Sequence, residues 1–153
     1  MRAIVVVGFG PPERLRVGEV AEPVPGPDEV LVMVHAAPVN YVDLLVVGGN
    51  YQFLPPLPFI PGKGPAGVVT ALGREVTNLR VGDRVLAMAE HGGYAEAVTV
   101  RADQCYRLPA LMSFAQGTQA ELRARAGARR DEPKILHQRE VLKVLQDLRG
   151  EWY

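Results

Sequence analysis

Cysteine is nearly absent from this sequence, and so is any excess of charge of one sign. The single cysteine, Cys105, excludes an internal disulfide and a zinc site built from several thiolates. Lysine plus arginine and aspartate plus glutamate number 17 each, so no overall field attracts nucleic acid or an anionic membrane. No apolar run approaches the roughly 20 residues of a membrane span, and the run after Met1 is too short for a secretory signal. We therefore expect a soluble, cytoplasmic protein without nucleic-acid or membrane partners.

Short apolar runs separated by glycine and proline predict a small, mainly β domain. The 153 residues suffice for one ordinary domain and are too few for two well-cored ones. Strand-like runs rich in β-branched residues occupy residues 3–7, 15–20, 30–37, 66–72, 84–89 and 94–100. Turn signals at regular intervals and little helix before residue 108 indicate a partly open, barrel-like sheet. The Gly-x-Gly after the first run is not a dinucleotide fingerprint, because Pro11 and Pro12 stand where its helix should begin.

The segment 39–67 is the best candidate for a functional site. Asn40 is a good helix N-cap, and Val42, Leu45 and Val46 follow at helical spacing. Glycines at 48 and 49 and prolines at 55, 56, 58 and 61 then predict an ordered, non-repetitive surface loop. A stiff loop presents polar groups at low entropic cost. Those polar groups are Asn40, Tyr41, Asp43, Tyr51 and Lys63.

The order of these residues carries a family resemblance. Asn40, Asp43, Gly48 and Tyr51, followed by a Pro-Gly turn at 58–62 and Gly67, resemble the N-terminal, GroES-like domain of the medium-chain dehydrogenase/reductase superfamily. Within it, the sequence is similar to the zinc-free NAD(P)H:quinone oxidoreductase branch. The resemblance covers residues 1 to about 115 and implies a GroES-like, partly open β-barrel with short helices.

The resemblance also implies that no metal is bound. Where the zinc alcohol dehydrogenases of the superfamily carry their first cysteine this chain has Asn40, and where they carry Gly-His-Glu it has Gly62-Lys63-Gly64. A catalytic zinc needs three protein ligands from cysteine, histidine or carboxylate side chains. The histidines at 35, 91 and 137 show no spacing that would replace those ligands.

In the zinc-free branch the resemblance implies hydride transfer from NAD(P)H to a small quinone or enone substrate. The cleft would lie between this domain and a following Rossmann domain. Tyr51 and Asn40 would be catalytic and face the substrate and the nicotinamide ribose, Asp43 would support them on the cofactor side, and Lys63 would contact a cofactor phosphate. A tyrosine with an ordinary pKa near 10 is a weak acid at neutral pH, so hydrogen bonding is its first assignment.

The tail after about residue 115 departs from the family. Residues 116–130 contain a basic cluster and are either a frayed helix or a linker. Residues 131–153 predict a helical extension, in which Val141, Leu145, Leu148 and Trp152 form one apolar stripe. No Rossmann fingerprint follows, so the sequence predicts an incomplete active site that binds NAD(P)H weakly or not at all. The tail is then either the product of truncation or frameshift, or a cover for the surface that a cofactor domain would bury.

Two alternatives stay open. The pattern around Asn40 and Tyr51 also resembles enoyl-thioester reductases of the same superfamily. The chain could instead be a non-enzymatic binding or assembly module, with the 131–152 helix packing on the barrel or pairing two chains into a homo-oligomer.

Overall fold

The computed structural model describes residues 1–127, with side chains for residues 1–120. The strands of this part are β1 (Arg2–Val5), β2 (Arg16–Glu19), β3 (Glu29–Ala36), β4 (Ala66–Leu72), β5 (Arg84–Ala87), β6 (Ala97–Arg101) and β7 (Cys105–Arg107). The α-helices are α1 (Tyr41–Val47) and α2 (Phe114–Gly127), and short 3-10 helices span Pro12–Arg14 and Ala102–Gln104.

The strands form two antiparallel sheets. β1 and β2 make a two-stranded hairpin, and the larger sheet has the order β6-β3-β4-β5-β7. Isolated bridges join Ala3 to Ala95 and Val6 to Phe59, so the hairpin is tied to the loops of the larger sheet. The edge strands β6 and β7 do not pair with each other, and the sheet stays open. The predicted mainly β architecture with short helices is confirmed.

Both faces of the larger sheet carry buried side chains, since the adjacent β5 residues Val85 and Leu86 belong to two different core clusters. Alternate valines of the central strands are fully buried, as period-2 side-chain alternation requires. They are Val30 and Val32 on β3, Val69 on β4 and Val85 on β5. Burying each such side chain contributes about 1.5–3 kcal/mol. β3 and β4 approach so closely that a Cβ at Gly67 would lie 1.9 Å from the carbonyl oxygen of Met33, so only glycine fits there.

The prediction of a surface loop is wrong for the second half of the segment 39–67. Residues 61–67 are all buried. Burial is possible here because Gly62 and Gly64 adopt φ of +99° and +57°, and because prolines at 61 and 65 bring no backbone donor that would need water. Earlier in the segment, residues 52–54 are exposed as predicted.

Helix α2 packs on the larger sheet through Arg84. The guanidinium donates hydrogen bonds to the carbonyl oxygens of Pro109, Ala110 and Met112 and lies 4.5 Å over the ring of Phe114. The sequence left a frayed helix or a linker open for residues 116–130, and the structure describes a helix as far as Gly127. The predicted helical extension at 131–153 lies outside the described residues. No helix in residues 1–127 combines the length and apolarity that crossing a membrane requires.

Candidate functional site

Asn40 and Asp43 together begin helix α1. Asn40 is the N-cap residue, with an extended backbone (φ −111°, ψ 154°). Oδ2 of Asp43 accepts the Asn40 backbone N–H at 2.9 Å, and the Asp43 N–H donates to the Asn40 carbonyl oxygen at 3.0 Å. The Asp43 side chain therefore satisfies a backbone donor at the helix N-terminus. Asp43 is only 3% exposed, so it supports the position of Asn40 from inside the domain.

Tyr94 holds Asp43 from the other side. Its hydroxyl lies 3.0 Å from Asp43 Oδ2 and 3.0 Å from the Pro38 carbonyl oxygen, and its single proton is donated between these two acceptors. Burial, reinforced by the Asp43 carboxylate, raises the pKa of Tyr94 far above its usual value of 10. The hydroxyl therefore remains a donor throughout the neutral range. Sequence reasoning missed Tyr94, because its partner is 51 positions away.

Tyr94 also joins α1 to the loop that carries Lys63. A Cβ at Gly62 would lie 2.5 Å from Cδ1 of Tyr94, so the ring packs directly on the Gly62 backbone. Backbone hydrogen bonds pair this loop with the segment before β6, among them Gly92 N to Ile60 O at 2.7 Å, Gly93 N to Gly62 O at 2.9 Å and Gly64 N to Ala89 O at 3.0 Å. The backbone on both sides of Lys63 is thus fixed.

Lys63 is buried, which the sequence did not predict. The residue is 6% exposed, whereas a lysine on a loop is ordinarily solvated. Its Nζ forms an ion pair and a hydrogen bond with Oε2 of Glu90, whose own side chain is 60% exposed. Nζ also lies 5.6 Å from the centroid of the Tyr51 ring, within the range of a cation–π contact. Lys63 therefore contacts Tyr51 as well as a carboxylate.

Tyr51 is half-buried beyond the C-terminal end of α1. Its ring packs against a small apolar cluster that contains Val6, Val46 and Phe59. Asn40 precedes the seven residues of α1, so the helix separates the two predicted catalytic residues by on the order of 10 Å at 1.5 Å rise per residue. The structure brings Tyr51 and Lys63 together and links Asn40 to Asp43. A ligand contacting both groups would extend along α1.

Asn40 and Tyr51 carry polar groups of the kind that hydrogen-bond a nicotinamide cofactor. Asn40 offers a side-chain donor and an acceptor at a half-buried position, and Tyr51 offers a hydroxyl. The glycines after β1 are followed by a 3-10 helix of three residues, Pro12–Arg14, in place of a phosphate-binding helix. Lys63 is paired with Glu90, and its predicted contact with a cofactor phosphate stays a prediction. No group of three or more histidine, cysteine, aspartate or glutamate side chains in the described part of the chain is placed to hold a metal ion.

A separate apolar hollow of about 500 Å³ lies between the β1–β2 hairpin and the proline-rich loop. Val5, Val20, Pro58, Phe59 and Ile60 are among the residues that line it. Its volume suits a small molecule. The hollow is distinct from the predicted site, because Asn40, Tyr51 and Lys63 do not line it.

Known proteins resemble this chain in both sequence and structure. The model of the Alcohol dehydrogenase GroES-like domain family matches residues 26–110. The quinone oxidoreductase of Sus scrofa is 41% identical over 119 residues, which cover 76% of this chain and 36% of that protein. The synaptic vesicle membrane protein VAT-1 homolog-like of Mus musculus is 38% identical over 116 residues, which cover 76% of this chain and 28% of that protein.

Solved structures of quinone oxidoreductases share the fold. A mycobacterial quinone oxidoreductase superposes with a TM-score of 0.76 at 33% identity, over 82% of this chain and 39% of the other. The Escherichia coli quinone oxidoreductase complexed with NADPH gives a TM-score of 0.72 at 31% identity, over 78% and 36%. The alignments span between 28% and 36% of the two curated relatives described above.

Proposed function

Because this chain belongs to the alcohol dehydrogenase GroES-like domain family of the medium-chain dehydrogenase/reductase superfamily, we propose that it is the substrate-side domain of an NAD(P)H-dependent quinone oxidoreductase. We propose that it transfers hydride without zinc, in the cytoplasm, to a small quinone or enone. The observation that carries the proposal is the pairing of Tyr51 with Lys63 beyond one end of α1, while Asn40 caps the other. Identity of 41% to a quinone oxidoreductase supports it.

The residues of this chain would bind and orient the reactants. When bound, NAD(P)H supplies a hydride. Asn40 would hydrogen-bond the nicotinamide end of the cofactor, and Asp43 would keep Asn40 in place through the bond to its backbone amide. The Tyr51 hydroxyl would donate to the substrate oxygen that gains negative charge. The cofactor phosphates would be bound outside the described residues, by a Rossmann domain of the kind that the superfamily carries.

Titration calorimetry with NADPH tests whether this chain is the substrate-side domain, with the cofactor bound mainly by another domain. We expect the 153-residue chain to show no saturable binding at micromolar NADPH, since its described residues include no phosphate-binding helix after a glycine-rich turn. Micromolar affinity would contradict the assignment of this chain to the substrate side. If the chain gives a small heat signal with NADPH, the same titration with the Asn40→Ala variant shows whether that signal depends on Asn40.

A chimera tests the activity itself. Residues 1–115 would replace the corresponding domain of the Sus scrofa quinone oxidoreductase, which is similar enough in sequence to supply the remaining parts. We expect NADPH-dependent reduction of a quinone, with kcat lowered about 10²-fold by Tyr51→Phe, as for loss of one oxyanion donor. A folded chimera that reduces a crotonyl thioester and no quinone would favour the enoyl-thioester alternative.

The VAT-1 homologues favour a second candidate function. The relative from Mus musculus is named as a synaptic vesicle membrane protein, and it matches this chain at 38% identity. This observation supports a non-enzymatic binding or assembly module, with self-association through residues 131–152. Sedimentation velocity of the 153-residue chain and of a Leu145→Asp variant distinguishes the two candidates. If the chain is an assembly module, the variant should lose its oligomer. If it is a reductase domain whose residues 131–152 have no structural role, the sedimentation coefficient should not change.

A further inference from the structure

The buried ammonium of Lys63 has a further use in the site. Burying a charge costs several kcal/mol unless hydrogen bonds and an opposite charge compensate it. Lys63 is 6% exposed, and its only hydrogen-bond acceptor among the described residues is Glu90. An ammonium carries three donors. The position therefore holds a positive charge with donor capacity left over.

The fold fixes this charge beside Tyr51. Gly62 and Gly64 flank Lys63 with positive φ, and hydrogen bonds to Gly93 and Ala89 hold the backbone of both. Glu90 restrains the head group from the solvent side, because its side chain is 60% exposed. The Tyr51 ring, 5.6 Å from Nζ, lies against the ammonium. The ammonium and the Tyr51 ring are therefore neighbours, and a substrate that reaches the Tyr51 side chain would come near Nζ.

Resting on the function proposed above, we propose that Lys63 is a further catalytic residue whose ammonium hydrogen-bonds the substrate oxygen and stabilises the anion formed by hydride transfer. Hydride addition breaks a C–H bond of NAD(P)H, oxidises it to NAD(P)⁺ and reduces the quinone to a hydroquinone monoanion. That anion then takes one proton from water. A fixed ammonium stabilises such a developing charge without the reorganisation that water molecules must undergo.

Glu90 has a defined part in this arrangement. Its carboxylate orients the ammonium while no substrate is bound, and it competes with the substrate anion for the same donor. Removing the charge of Glu90 should therefore strengthen anion binding, whereas removing the charge of Lys63 should abolish it. This opposite sign distinguishes an electrostatic role from a merely structural ion pair.

A phenolate probe tests the proposal without the cofactor. 4-Nitrophenol resembles a hydroquinone monoanion when it is ionised, and its absorbance reports its ionisation. We expect the 153-residue chain to bind the phenolate form about tenfold more tightly than the neutral phenol, which lowers the apparent pKa of the probe by about one unit. Lys63→Met should abolish this preference, Lys63→Arg should retain much of it, and Glu90→Gln should increase it.

Controls keep the test decisive. Glu96→Gln removes the same charge from an exposed carboxylate that pairs with Arg2, and it should leave the preference unchanged. Circular dichroism shows whether each variant folds, and if Lys63→Met does not, the sign of the Glu90→Gln effect decides. Equal binding of phenol and phenolate by the wild type, an unchanged preference in Lys63→Met, or a weaker one in Glu90→Gln would overturn the proposal.

Activity measurements separate the proposed role of Lys63 from the proposed reductase function on which it rests. In the chimera described above, Lys63→Met should lower kcat about 10²-fold with KM little changed, and Lys63→Arg should restore part of the rate. If the wild-type chimera is inactive but the phenolate preference depends on Lys63, the reductase assignment is wrong and the anion site at Lys63 is retained. An active chimera in which Lys63→Met has no effect would defeat the role of Lys63 alone.

Discussion

At the scale of single residues, Tyr94 is the side chain on which the arrangement of the site depends. Its hydroxyl contacts Asp43 and the Pro38 carbonyl, and its ring packs on Gly62. Through these contacts it connects the N-terminus of α1 with the loop that carries Lys63. The two halves of the site are therefore joined by a residue that contributes no group to the proposed chemistry.

Replacing Tyr94 with phenylalanine should destabilise the domain measurably. The ring contact with Gly62 is kept, but a hydrogen bond to a buried carboxylate is lost, which costs about 1.5–3 kcal/mol. Because the folded-state pKa of Tyr94 is raised, its contribution is complete below about pH 10 and is lost as the pH rises further, when the unfolded chain ionises first.

Urea unfolding at pH 7 measures this loss. Tyr41→Phe is the matched control, because Tyr41 is 73% exposed and its change should stay within about 0.5 kcal/mol. Equal free energies of unfolding for the two variants would show that the Tyr94 hydroxyl does not hold Asp43.

Residue burial shows where prediction from the sequence failed. The cap at Asn40 was predicted and is confirmed, because N-capping is decided within a few residues. The burial of Lys63 depends on Glu90, 27 positions away, and that of Asp43 depends on Tyr94. The sequence within a few residues of a position does not reveal partners so far along the chain. Lys63 was therefore expected to lie in solvent, as most loop lysines do. The roles of Asn40, Tyr51, Asp43 and Lys63 toward a cofactor or substrate stay predictions.

At the scale of elements, the strands were more predictable than their ends. The run at 66–72 coincides with β4, whose Ala66 and Val69 side chains enter the core. The run predicted at 94–100 begins as a strand only at Ala97. Its first residues are used elsewhere, since the Tyr94 amide donates to the Pro61 carbonyl oxygen at 2.9 Å. Competition for backbone partners between distant segments set this boundary.

Arg84→Met should loosen helix α2 from the sheet. The substitution removes three hydrogen bonds to the turn before α2 and the stacking on Phe114, a ring that also stacks with His35 at 4.5 Å between centroids. We expect a loss of about 1–3 kcal/mol of stability and faster amide hydrogen exchange within residues 114–127.

Arg84→Lys is the informative control for that experiment. It keeps the charge but not the planar fork, so it should recover little of the protection. Full protection in both variants would mean that apolar packing of Met112 and Ala120 suffices to dock the helix.

At the scale of the whole molecule, Cys105 reports on opening of the sheet. It lies in the same core cluster as Val30, Val32 and Val85, and burial, aided by the nearby Asp103, raises the pKa of its thiol to about 12. Both accessibility and thiolate formation, which thiol reagents require, are therefore suppressed in the folded state.

We expect the native chain to react with a thiol reagent only through global unfolding. The labelling rate in buffer should be lower than that of the urea-unfolded chain by roughly the equilibrium constant for unfolding, and it should rise exponentially with urea. Stoichiometric labelling of the folded chain within seconds would show instead that β7 separates locally from the sheet.

The close approach of β3 and β4 at Gly67 and of Tyr94 to Gly62 restricts how this domain could be redesigned. Mutagenesis libraries that aim at new substrate preferences should leave both glycines untouched, because any side chain there would collide with neighbouring atoms. Positions 52–54 tolerate diversity, since they face solvent beside Tyr51 in the chain. Positions that accept substitution and positions that do not thus follow one another within the segment 39–67.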